Sequence, residues 1–141
     1  VDTTQATAVL AGNVAASGYA GGGMSLDGAC ANAADYRGIQ FTLGGTAAGC
    51  DIIFQIRTYA QLPTSANGVC ASNCYQFPQV KLATTTGLTV VTFAMLTDTG
   101  QPAAAADIAK SIMGLQWQLQ SPAGKACTGV KLTIDDVKFV K

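Results

Sequence analysis

Asp51-Ile52-Ile53-Phe54-Gln55-Ile56-Arg57-Thr58-Tyr59 decides the fold class. Drawn as an extended strand, Ile52, Phe54 and Ile56 share one face, and Ile53, Gln55, Arg57 and Tyr59 share the other. An amphipathic helix would instead repeat its apolar residues every three or four positions. The same period of two recurs on both sides of this stretch. Ile39-Gln40-Phe41-Thr42-Leu43 alternates and ends at the turn signal Gly44-Gly45. Leu115-Gln116-Trp117-Gln118-Leu119-Gln120 alternates strictly, and so does Val130 to Asp135, running on through Val137 to Phe139. Thr89 to Phe93 is rich in β-branched residues, and shorter candidates lie at Val9 to Leu10, Gly23 to Asp27 and Gln79 to Leu82. The stretch from Pro102 to Ser111 is Ala-rich without a clear apolar stripe and reads as a connection with room for one helical turn. Gln61 to Asn73, rich in Ser, Asn and Gly, reads as the longest loop. Short strands separated by turns, without helices, predict an all-β protein: a β-sandwich of the jelly-roll kind built from two antiparallel sheets.

The chain has 141 residues, a length that suits one domain spanning 1–141 with one substantial core. Only 11% of its residues are charged, against about 25% in an ordinary globular chain. Eight Lys and Arg balance eight acids, and every acid is Asp, for there is no Glu and no His. Nucleic acid requires a basic footprint, which this composition lacks. No apolar run approaches the roughly 20 residues of a membrane helix. A near-neutral surface of Gln, Thr, Ser, Asn and Gly suits a neutral ligand rich in hydroxyls. Catalysis is disfavoured: Ser or Cys nucleophiles lack a His base. A glycosidase would need two carboxylates about 5 to 9.5 Å apart across a cleft, and the scattered Asp residues are poor candidates.

Five cysteines in so short a chain point to an oxidising compartment, hence to a secreted protein. Val1, with no initiator Met and no signal-like apolar segment, reads as the start of a mature or excised domain. Cys70-Ala-Ser-Asn-Cys74 is a tight pair by spacing, and disulfide bonding is favoured over zinc because no His and no second close Cys pair completes a tetrahedral site.

Four segments carry a family resemblance. Asp35-Tyr36-Arg37-Gly38-Ile39-Gln40-Phe41 resembles the D-x-Y-x-G-I-x-F strand of β-sandwich carbohydrate-binding modules appended to bacterial polysaccharide-degrading enzymes. Met113-Gly114-Leu115-Gln116-Trp117-Gln118 resembles their later x-G-I-Q-F-x strand, and Thr133-Ile134-Asp135-Asp136-Val137-Lys138-Phe139 their closing x-I-D-D-V-x-F strand. Cys70 to Tyr75 resembles a Cys-x3-Cys-Tyr/His loop of some relatives. The set runs in the expected order from about Gly23 to the end. The stretch before Gly23 departs from the pattern, being small and Ala-rich where many such modules open with aromatic and acidic residues. The resemblance implies a galactose-binding-like jelly roll with its ligand site on the concave sheet and a catalytic domain as its neighbour.

In that topology strands 51–59 and 114–120 are neighbours, flanked by those near 23–27 and 79–82. Alternation then points Met24, Leu26, Ile52, Phe54, Ile56, Val80, Leu82, Leu115, Trp117 and Leu119 into the core. It points Ser25, Asp27, Gln55, Arg57, Tyr59, Gln79, Lys81, Gln116 and Gln118 outward. Amides both donate and accept, as sugar hydroxyls do. Any exposed sheet face is polar, but charges serve solubility better than clustered Gln. The expected ligand contacts are Asp27, Gln55, Arg57, Gln79, Gln116 and Gln118, with Tyr59 and Tyr75 as stacking platforms. Arg57 is also open to a structural pairing with Asp27. Tyr36 reads as packing, Phe77 as loop packing or a rim contact, and Trp117 as core unless a bulge inverts its strand.

Asp135-Asp136 cannot flank one glycosidic bond if strand neighbours point to opposite faces. Relatives often hold a structural calcium through an Asp of this strand, which makes Asp135 the candidate ligand, with Asp2 or Asp27 assisting; no other cofactor is implied. In the assumed jelly roll the loops carrying Cys50 and Cys127 fall at one end, so these two pair. Cys70 pairs with Cys74 and Cys30 is left over, with exchange of Cys30 into that loop as the alternative.

The expected function is non-catalytic binding of extended β-glucan chains, namely cellulose-type, mixed-linkage or xyloglucan, which targets an appended glycoside hydrolase. The alternative is a structural or adhesive surface sandwich with no sugar site.

Overall fold

The computed structural model describes residues 7–26, 30–97 and 104–141. It is an all-β sandwich of two four-stranded antiparallel sheets. The strands are β1 (Ala8–Val14), β2 (Tyr19–Ser25), β3 (Gly38–Thr46), β4 (Asp51–Thr58), β5 (Gln79–Lys81), β6 (Gly87–Thr92), β7 (Ile112–Gln120) and β8 (Cys127–Val140). One sheet has the order β1-β8-β3-β6 and the other β2-β7-β4-β5. The second is the sheet expected from the sequence, with its members in the expected neighbourhood.

The core lies between the sheets and is centred on three aromatic rings. Phe41 reaches across from β3 to Phe54 of β4 and Trp117 of β7, at centroid distances of 5.1 and 5.2 Å. Phe54 and Trp117 are 5.3 Å apart. Ile39, Leu43, Ile52, Ile56, Leu115, Leu119, Leu132 and Ile134 complete it, all buried, as strict alternation of their strands requires. The Cys50–Cys127 disulfide crosslinks the sheets at one end, because Cys50 immediately precedes β4 and Cys127 opens β8.

Several elements depart from the sequence reading. β3 does not stop at Gly44-Gly45 but continues to Thr46. Gly45 has φ +73° and a side-chain carbon there would sit 2.0 Å from the Lys131 carbonyl oxygen, so glycine serves close strand approach at this position, not a turn. β1 and β2 both start earlier or run longer than their apolar residues indicated, across Ala and Gly that carry no alternation. The connection before β7 does take the helical turn its sequence left room for, as α1 (Ala105–Lys110), which buries Ile108 and Ala109 against the core. Two buried side chains suffice for so short a helix, and they make no stripe that periodicity could detect.

Two irregularities matter for the surface. β7 carries an extra residue opposite Arg57/Thr58 of β4, so Ile112 stays in the main core while Met113 joins a second cluster with Leu62 and Phe77. That cluster seats the loop between β4 and β5. In β8, Asp136 is left-handed (φ 52°) and the register against β3 slips between Gln40 and Thr42. Inward-facing positions therefore change from Ile134 to Val137 and Phe139. Asp135 and Asp136 are both unburied, so the opposite-faces argument against this pair does not apply at the bulge.

Candidate ligand-binding surface

The outer face of the β2-β7-β4-β5 sheet is a grid whose rows follow from strand register. Tyr19, Gln120 and Asp51 form one row, and Gly21, Gln118, Ile53 and Lys81 the next. Gly23, Gln116, Gln55 and Gln79 form the third, and Ser25, Gly114 and Arg57 the fourth. Rows lie two residues apart along the strands, about 6.6 Å, and columns about 4.8 Å apart.

The third row is wired together. Gln116 Nε2 donates to Gln55 Oε1 at 3.0 Å, and Gln55 Nε2 donates to Gln79 Oε1 at 2.8 Å. Gln55 is only 8% exposed, so its amide is spent within the ladder instead of being offered outward as the sequence suggested. It holds the neighbouring amides in one orientation, leaving the Gln116 carbonyl oxygen and the Gln79 amide hydrogens available. Gln55→Leu is expected to cost about 1–3 kcal/mol in chemical unfolding, since it strips partners from two half-buried amides. Gln55→Glu, able to accept from both neighbours, should retain more of the stability.

In the fourth row Arg57 reaches over Gly114, which has no side chain to obstruct it, and its Nη1 donates to Ser25 Oγ at 3.1 Å. Asp51 and Lys81, also on this face, pair with each other at 2.8 Å. Arg57 has no carboxylate partner among the described residues. Its expected alternative partner, Asp27, lies outside the described residues, so neither that pairing nor the ligand role of Asp27 is placed.

An open groove of about 290 Å³ runs along the β2 side of this face, lined by Tyr19, Gly21, Gly23, Arg57, Gln116 and Gln118. Its floor is glycine backbone. A side-chain carbon on Gly21 would stand 2.6 Å from the Trp117 carbonyl oxygen, and one on Gly23 2.3 Å from that of Leu115. Side chains are thus excluded by the close approach of β2 to β7, and the trough is built into the strand pairing. Tyr19 closes one end, 76% exposed. Sequence reasoning missed Tyr19 because the glycines after it carry no alternation. Counting back by two from Ser25, through 23 and 21, would have placed it on this face.

Of the other expected contacts, Arg57, Gln116 and Gln118 converge on the groove, and Gln79 lies at the far end of the amide ladder. Tyr59 follows β4, 39% exposed, its backbone bonded to Ser111 and Val69, and it does not line the groove. Tyr75 stands on the Cys70–Cys74 loop with its ring 6.0 Å from buried Phe77 and is likewise outside the groove. Trp117 is 1% exposed and belongs to the core. Tyr36 packs on Phe139 at 5.4 Å, as its reading as a packing residue anticipated. A second gap, of about 220 Å³, opens at the seam of β1 and β2, but Leu10, Val14, Ala20, Leu119 and Val130 give it an aliphatic lining with little to orient a polar ligand.

Both expected disulfides are present, Cys50–Cys127 and Cys70–Cys74, with Cys30 free. Cys30 Sγ lies 3.3 Å from Met113 Sδ, at the loop end of the sheet. At Asp135, the candidate calcium ligand, Oδ1 accepts a hydrogen bond from Thr7 Oγ1 at 2.7 Å. No three His, Cys, Asp or Glu gather into a metal cluster among the described residues. Asp2 and Asp27, the suggested co-ligands, fall outside them.

Comparisons of the chain with family models, with curated proteins and with solved structures give no match. Among the described residues no helix is long and apolar enough to cross a membrane.

Proposed function

We propose that the groove on the β2-β7-β4-β5 sheet binds a polysaccharide without cleaving it, with extended β-glucan chains as the ligand class. On this reading the domain acts outside the cell and directs an appended glycoside hydrolase to its substrate. The observation that carries the proposal is the combination in one groove of an exposed Tyr ring, glycine backbone that lets a chain lie close, and amide and guanidinium groups along its wall. Tyr19 offers a π-face to the C–H-rich side of a pyranose. Gln116 and Gln118 supply donors and acceptors to hydroxyls, which also do both. Among the described residues the groove lining contains no carboxylate, whereas hydrolysis of a glycosidic bond needs a pair of them.

The test is affinity electrophoresis through gels holding β-glucan, xyloglucan, xylan, mannan or no polysaccharide, repeated with chelator. Retardation in the glucan gels is expected. Tyr19→Ala and Gln116→Ala should each weaken it about tenfold, the loss of one stacking or hydrogen-bonding contact. Loss of retardation with chelator would bring calcium back into the account. Equal mobility in every gel, with no pull-down by insoluble cellulose, would leave a structural or adhesive sandwich as the better description.

A further inference from the structure

We infer that the groove selects a β-linked chain that carries a carboxylate, a uronate unit seated against Arg57, in preference to a wholly neutral glucan. This rests on the reading of the groove as a polysaccharide site and narrows its ligand.

The argument is one of charge placement. The chain is sparing with charge, and on this face Asp51 and Lys81 neutralise each other at 2.8 Å. Among the described residues Arg57 is then the one charged side chain lining the groove, beside Tyr19, glycines and two glutamines. A half-buried guanidinium costs desolvation, and hydroxyl recognition does not require it, since the adjacent amides already donate and accept. Its placement is also specific. Arg57 lies over Gly114 and is held by Ser25 through a single Nη1 bond. Among the described residues Ser25 is its one side-chain hydrogen-bond partner, and the fork geometry of its other N–H donors matches a carboxylate in bidentate fashion. Gln116, whose amide is turned by its bond to Gln55, stands one row away, where it meets the hydroxyls of the same sugar or its neighbour. Ser25 accepts from Arg57, so it orients the guanidinium without neutralising it.

The probes are a matched pair: a β-1,4-linked glucuronan oligosaccharide and a cello-oligosaccharide of equal length, which differ only in a carboxylate or a hydroxymethyl group on each ring. Titration calorimetry on the wild-type chain at low and high salt is expected to give roughly ten- to hundredfold tighter binding of the acidic probe at low salt. The advantage should shrink as salt screens the pair. Arg57→Gln should abolish the preference, bringing the two probes to equal affinity, and Arg57→Lys should restore only part of it, since the ammonium lacks the planar fork. Melting curves establish that both variants fold. Equal affinity for the two probes, or a preference that survives Arg57→Gln, would overturn the inference and leave the neutral-glucan reading standing. Failure to bind either probe would overturn the polysaccharide reading itself.

Discussion

Trp117→Ala is expected to lower stability by about 3–5 kcal/mol, the range for removing a large aromatic from a core. That is a large share of the roughly 5–15 kcal/mol available to a domain. The ring is 1% exposed and touches Phe41 of the opposite sheet edge-on, at 5.2 Å and 89°, as well as Phe54 beside it. Its loss would remove a contact that joins the two sheets, and neither neighbour can collapse into the space without leaving its own strand register. Trp117→Phe should cost far less. The indole Nε1 has no acceptor among the described residues, so the indole's extra apolar contact is offset by a buried donor that Phe does not carry. Urea unfolding followed by far-ultraviolet circular dichroism reads both. If Trp117→Ala proved nearly as stable as wild type, the ring could not be the centre of this core. If Trp117→Phe folded but lost polysaccharide retention, the residue would be a platform after all.

The burial of Trp117 was legible because Leu115 to Gln120 keeps one parity throughout: the bulge in β7 falls at Met113, just before the alternating stretch. Neighbour order in the β2-β7-β4-β5 sheet came instead from the topology that the family resemblance implies, because alternation assigns faces and not partners. β2 escaped in part because Tyr19-Ala20-Gly21-Gly22-Gly23 has almost no side-chain pattern to read. Its strand character comes from pairing with β7, a tertiary cause. The β8 bulge left a trace, for the apolar residues step from Ile134 to Val137, a spacing of three where two was running. That step marks a change of parity, and with it a change in which face each Asp takes.

The candidate site was half legible. Period two put Arg57, Gln116 and Gln118 on one face, and register brings them to one groove. That Gln55 would be consumed in a ladder depended on whether Gln79 and Gln116 turned toward it, which no single-strand pattern contains. Tyr59 reads as a platform from its place at a strand end on the outer face, and Tyr75 from its place after the Cys70–Cys74 loop. The groove instead ends at Tyr19, on the edge strand whose glycines concealed it.

Removing the Cys50–Cys127 disulfide as Cys50→Ala/Cys127→Ala is expected to cost about 4 kcal/mol, because it closes a loop with a sequence separation of 77 and so restricts the unfolded chain strongly. Both residues are buried where β4 of one sheet and β8 of the other begin, so the sheets lose their covalent tie at that end. Cys70→Ala/Cys74→Ala should cost no more than about 2 kcal/mol, the separation being 4. The two pairs therefore separate stability from function. Guanidinium unfolding of the two double variants should show the larger midpoint shift for the first pair. Affinity electrophoresis of the folded second variant should show unchanged retardation, because Tyr19, Arg57, Gln116 and Gln118 lie outside the small loop. Tyr75 follows Cys74 directly and is held left-handed at φ 65°, so opening the loop frees that ring first. A variant that keeps its stability but loses retention would place Tyr75 in the binding surface and extend the site from the glycine groove to the loop end of the sheet. Unchanged retention would confine recognition to the face built by β2, β7 and β4.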